Sequence, residues 1–182
     1  MALNSQSTTQ IFLSDVRVPA ANMIGNEGDA LKNTLTLFER ARIHVGAQSL
    51  GIGRRSLEES VRYSQARRQH GKQIAGHQLI AAMLAEMATR VDASRLLLHR
   101  AAAMIDAGMR CDMEAAMAKY FATEAAVTIA RQGVQIHGGN GVTTEFLVEK
   151  LAREAIMIPI PDGTTEIQKL IIGRALTGIS AL

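Results

Sequence analysis

The sequence is short of several things that would each have narrowed its function. It has one cysteine, Cys111, in 182 residues, which excludes an internal disulfide framework. The five histidines (44, 70, 77, 99 and 137) stand too far apart for the spacings of a metal site. Tryptophan is absent and aromatics reach only 3 %, so the stacking platforms and basic stripes of a nucleic-acid binder are missing. No charge dominates: 20 Lys and Arg face 17 Asp and Glu, dispersed along the chain. No apolar run is long enough to span a bilayer. The first ten residues lack the charged-then-apolar order of a signal peptide. A soluble, cytoplasmic protein without nucleic-acid or membrane partners is the expectation.

What is present is a chain rich in Ala and Met, 47 % hydrophobic and with only three prolines, which suits closely packed helices. Residues 1–10 read as a disordered lead. Residues 11–19 (Ile-Phe-Leu-Ser-Asp-Val-Arg-Val-Pro) are β-rich and predict a lone strand, followed by a loop to Gly28. A helix is expected from about Ala30 to Gln65, with Leu35, Phe38, Ile43, Leu50, Leu57 and Val61 among its apolar positions. Gly46, Gly51 and Gly53 would let a neighbour approach it closely. The clearest periodicity lies between His77 and Ala107. There positions 80, 84, 87, 91, 94, 98, 101 and 105 alternate steps of four and three and form one stripe. Further helices are expected over Met113–His137, Thr144–Ile156 and Thr164–Thr177. Short connections make the sum an all-α, antiparallel, up-and-down bundle of four to five helices.

Three groups of residues could carry chemistry. Gln135-Ile136-His137-Gly138-Gly139-Asn140-Gly141 ends a helix in a glycine cluster, where backbone amides can approach a ligand. Cationic and amide side chains crowd the turn at Arg67, Arg68, Gln69, His70, Lys72 and Gln78, where an Arg fork suits a diphosphate. The same run also reads as an ordinary solvated loop. Asp162, in Pro161-Asp162-Gly163-Thr164-Thr165-Glu166-Ile167-Gln168, is either a helix N-cap or a general base, and spacing does not separate the two. Glu39 and Arg42, three apart on the first helix, read by themselves as a surface face.

In this order the motifs resemble those of the acyl-CoA dehydrogenase family. That family has an acidic residue and Arg three apart, Arg-x-x-Phe-Gly, a Gln eleven residues after that Arg, Gln-x-x-Gly-Gly-x-Gly and Glu-Gly-Thr-x-Glu-Ile. Here they are Glu39 and Arg42, Arg67-x-x-His70-Gly71, Gln78, Gln135-x-x-Gly138-Gly139-x-Gly141 and Asp162-Gly163-Thr164-Thr165-Glu166-Ile167. The resemblance covers about residues 11–178. It implies an FAD enzyme that forms the α,β-double bond of an acyl-CoA. A carboxylate removes the α-proton and a β-hydride passes to the flavin.

By that resemblance Asp162 is the base and Gly163 lies against the thioester. Arg67, Gln78, Gln135, Gly138, Gly139, Thr164 and Glu166 contact FAD, and Glu39 and Arg42 meet the CoA part of the substrate. It also implies a homodimer or homotetramer with shared FAD sites, and electron-transfer flavoprotein as acceptor. Two departures stand out: Asp162 replaces the usual Glu, and His70 replaces the usual Phe. Some family members carry Asp at this place, including ones acting on alicyclic acyl-CoAs. Others set a Glu just before the residue equivalent to Arg42, where this chain has Ala41.

The family's chains also have an N-terminal helical domain and a middle β domain. Residues 11–28 are therefore expected to be the end of a β domain and residues 29–182 the C-terminal helical domain, a fragment inactive by itself. The alternatives are a related flavin-dependent monooxygenase, an acyl-carrier-protein dehydrogenase, or a non-catalytic helical oligomerisation module.

Overall fold

A computed structural model describes residues 1–180. Five α-helices account for most of it: α1 (Ala30–Ala66), α2 (Gln78–Asp106), α3 (Asp112–His137), α4 (Val148–Met157) and α5 (Thr165–Thr177). The expected all-α bundle is what forms. Helix α3 is its axis, packed against all four of the others. Seven of its thirteen buried residues are alanine, among them Ala115, Ala118, Ala122, Ala126 and Ala130. Small side chains leave room for neighbouring backbones to approach closely.

Helix α1 meets that alanine face with a stripe that the sequence reading did not pick. The residues it buries are Arg42, Val45, Gly46, Ser49, Gly53, Ser56, Ser60 and Ser64, and only one of them is a large hydrophobe. Leu35 and Val61, expected among the apolar positions, are exposed. Serines are tolerated in the seam because their hydroxyls bond back to the helix: Ser49 to Val45 O at 2.8 Å and Ser60 to Ser56 O at 2.7 Å. At Gly46 a Cβ would sit 2.6 Å from Leu98 Cδ2, so this glycine does mark a close approach, whereas Gly51 meets nothing. Helix α2 packs as its period predicts, burying Met87, Val91, Ser94, Leu98 and Ala101.

Three local differences from the sequence reading have physical causes. Residues 11–19 form no strand, and their apolar side chains are exposed, Phe12 at 86 %. A strand needs a partner to take its backbone hydrogen bonds, and among the described residues there is none. Helix α4 begins at Val148 rather than Thr144, because residues 138–147 stay in a 3₁₀ segment (Gly138–Val142) and turns. The turn after α1 is a β-hairpin of β1 (Arg68–Gln69) and β2 (Lys72–Gln73), paired Arg68 with Gln73 and Gln69 with Lys72. His70 (φ 50°) and Gly71 (φ 79°) make its two-residue tip. Two positive-φ residues are what the mirror-image hairpin turn requires.

Candidate functional site

The residues singled out in the sequence fall into two clusters, one at each end of α1 and α3. The first lies where α1 runs out into the hairpin and α3 ends in glycines. An open cleft of about 490 Å³ there is lined by Arg67, Gln69, His70, His77, Gly138 and Gly139, among others. Gln78 and Gln135 sit in the adjoining turns of α2 and α3, exposed but outside the lining. A Cβ built on Gly138 or Gly139 would meet nothing within 4 Å, so their backbone faces open space. Gly141 is different: a Cβ there would lie 2.5 Å from Val134 O, and only glycine lets the chain turn back over the helix end.

The cleft has a wall that the sequence did not announce. Tyr63 stacks on the buried His137, ring centroids 4.2 Å apart, and Phe146 meets both rings edge-on. The Tyr63 hydroxyl donates to His137 O at 3.3 Å and accepts from Asn140 Nδ2 at 3.0 Å. His137 Nδ1 bonds Gly133 O at 2.8 Å. Burial pushes the His137 pKa below the usual imidazole value, which keeps the ring neutral. His70, at the hairpin tip, stands edge-on to His77 with centroids 6.1 Å apart. Histidine adopts a positive φ more readily than a bulky aromatic such as Phe, so the tip suits the residue found there.

The second cluster surrounds Asp162. This residue is half-buried and has φ 54°, followed by Gly163 at φ 94°. It does not cap α5; that place belongs to Thr164, with Glu166 exposed in the first turn. The cap alternative therefore fails on geometry.

Arg42, buried on α1, is held below its usual pKa by desolvation, while Glu39, Asp112 and Asp162 pull it back up. Its Nε has no hydrogen-bond partner despite being buried. Glu39, half-buried one turn earlier, is raised by burial and by sharing a hydrogen bond with Asp112. Lys119 of α3 is fully buried. Its Nζ donates to Pro159 O at 2.5 Å and Gly163 O at 2.8 Å. Desolvation pulls its pKa down to about 8, against the favourable charges of Asp162 and Glu124. Lys119 was missed because nothing in a run of alanines distinguishes a buried lysine from a solvated one.

The clusters do not meet. Arg42 and Arg67 are 25 residues apart on or just past α1, which is about 37 Å along a helix. No cluster of His, Cys, Asp and Glu suited to a metal occurs among the described residues, and none of their helices is long and apolar enough to cross a membrane.

The bundle thus carries a glycine-and-arginine cleft at one end and a half-buried carboxylate near Arg42 and Lys119 at the other. Residues 28–177 match the family model for the acyl-CoA dehydrogenase C-terminal domain, and the chain belongs to that family. It is similar to an acyl-CoA dehydrogenase of Bacillus subtilis, 42 % identical over 98 % of this chain and 47 % of the relative. It is also similar to a caffeyl-CoA reductase–Etf complex subunit of Acetobacterium woodii, 36 % identical over 97 % of this chain and 46 % of that one. Among solved structures, butyryl-CoA dehydrogenase from Megasphaera elsdenii superposes with a TM-score of 0.87 at 38 % identity, covering 89 % of this chain and 42 % of the other. The chain thus spans about half the length of the relatives it matches.

Proposed function

We propose that this chain is the C-terminal domain of an FAD-dependent acyl-CoA dehydrogenase in which Asp162 removes the α-proton of the acyl-CoA. The observation that carries this is the setting of Asp162. It is a half-buried carboxylate, free of any capping duty, on a loop clamped from below and faced by the buried Arg42 and Lys119. A base needs such restricted solvent and a fixed position. Gly163, beside it, presents backbone to the thioester, and Glu39 and Arg42 line the approach of the CoA part. FAD, when bound, supplies the acceptor for the β-hydride.

The residues of the first cleft fit the diphosphate part of FAD. Arg67 offers a planar fork, Gly138 and Gly139 an uncovered backbone, and Tyr63 with His137 a ring wall. Gln78 and Gln135 flank that end, and Thr164 and Glu166 belong to the flavin end. The distance between clusters supports a further step. Gly163 is tied to Lys119, and Lys119 to Gly138 along α3 is 19 residues, about 28 Å. We take this to exceed what one dinucleotide bridges within a single chain, so each FAD would draw on two copies, in a homodimer or homotetramer. The exposed apolar residues of 11–24 and of the first turns of α1 (Leu31, Leu35) offer surface for such burial. The similarity to an Etf-complex subunit favours electron-transfer flavoprotein as the electron partner.

The test is anaerobic mixing of the full-length, FAD-loaded protein with straight-chain, alicyclic and aryl-substituted acyl-CoAs, with light scattering in parallel. The reading requires flavin bleaching by at least one of them and a dimer or larger assembly. A monomer whose flavin no acyl-CoA bleaches would overturn it.

A further inference from the structure

Asp162 lies in a segment that its own backbone would not hold in place. Residues 158–164 form no regular element, and Asp162 and Gly163 both have positive φ, a conformation that costs a non-glycine residue free energy. Such a loop persists only when its surroundings over-determine it. Three of its carbonyls are spoken for by two buried side chains. Lys119 Nζ donates to Pro159 O (2.5 Å) and Gly163 O (2.8 Å). Gln168 Nε2 donates to Asp162 O (3.2 Å) and Gly163 O (2.9 Å). Neither donor residue is exposed to solvent at all.

We propose that Lys119, with Gln168, is a positioning residue for the Asp162 carboxylate, fixing the base by gripping the backbone on both sides of it. This rests on the assignment of Asp162 as base.

Three features support it. A lysine completely removed from water is costly, and charge-assisted bonds to two carbonyls offset that cost only while the loop keeps this shape. Lys119 belongs to the rigid axis helix of the bundle, so the loop is referenced to the core rather than to its own flanks. A Cβ on Gly163 would lie 2.8 Å from Gln168 Nε2, so the glycine is also what allows the grip to close. The groups facing the ammonium are Asp162 from the loop, Glu124 from α3, Glu166 from α5 and Arg42 from α1. With its pKa near 8, the ammonium loses its charge in mildly alkaline solution and its bonds weaken.

The experiment uses the full-length FAD-loaded protein as wild type, Lys119→Met and Gln168→Leu, with steady-state kinetics across pH and hydrogen exchange. Lys119→Met should lower kcat by ~10²-fold, the scale expected from misplacing a catalytic group by an ångström. Gly163, Thr164 and Glu166 lie on or just after the same loop, so KM and FAD content are followed as well, and the loss in kcat should persist with substrate and FAD both saturating. An alkaline fall in kcat centred near pH 8 in wild type should vanish in this variant. Amide exchange should rise by ~10-fold or more in residues 158–168 but not along α1 to α3. Gln168→Leu should repeat the pattern at smaller amplitude, and it decides the matter if Lys119→Met does not fold. Parental kcat with a protected loop, or exchange rising evenly through the bundle, would overturn the proposal. Should wild type show no acyl-CoA-driven flavin reduction, the dehydrogenase reading falls, and the exchange comparison alone decides whether the grip exists.

Discussion

The Tyr63 ring lies parallel to the His137 imidazole, 4.2 Å away and tilted by 23°, and so ties the end of α1 to the end of α3. The contact joins residues 74 positions apart, beneath the glycine pair that lines the cleft. Removing only the hydroxyl should be informative. Tyr63→Phe keeps the stack but leaves Asn140 Nδ2 without this acceptor, at a cost of about 1 kcal/mol in denaturant unfolding. Tyr63→Ala removes the ring as well, and should cost about 3 kcal/mol and lower FAD retention, measured as the flavin-to-protein absorbance ratio.

His137 sets an acid limit on this end of the bundle. Its folded pKa is depressed, so between that value and 6.5 the unfolded chain binds the extra proton. The stabilising contribution is therefore present above pH 6.5 and is lost as pH falls through the folded pKa. Thermal melts of wild type should lose stability over that interval. In His137→Phe, which cannot be protonated, that part of the loss should be missing.

The seam between α1 and α3 should resist enlargement more than loss. Ser60 Oγ lies 3.4 Å from where a Cβ on Gly133 would be, so the two helices are in near backbone contact there. Ser60→Leu should destabilise by about 2 kcal/mol or more through overpacking, and Ser60→Ala by much less, as read in urea melts. Equal melts for the two variants would mean that the seam is looser than its geometry says.

The seam also shows where a sequence stops being readable. The bundle was legible because α2 repeats large apolar residues every three to four positions and buries them as that period requires. On α1 the inner face is serine and glycine, which carry no hydrophobic signal, so Leu35 and Val61 stood out instead and are exposed. The glycine cluster and the Asp162 loop were visible as motifs because their residues are neighbours in the chain. Tyr63 and Lys119 were not, since each acts on a segment 40 or more residues away and sits in a run of ordinary helix formers. The hairpin at 68–73 was hidden by its brevity and by His70 at a position where Asn or Gly is the usual signal.

The most direct measurement is the rate of acyl-CoA-dependent flavin reduction in Asp162→Asn of the full-length protein. Asparagine keeps the size of the side chain and tolerates φ 54°, and with Thr164 at the N-cap no capping bond is lost. Basicity is removed, together with the negative charge that favours the buried Arg42 and Lys119, so the melting temperature should fall modestly. The account predicts a fall of at least ~10²-fold in rate in protein that remains folded and FAD-loaded, the scale for loss of a general base. Flavin reduction at the parental rate would contradict it, and the base would have to be sought in another residue.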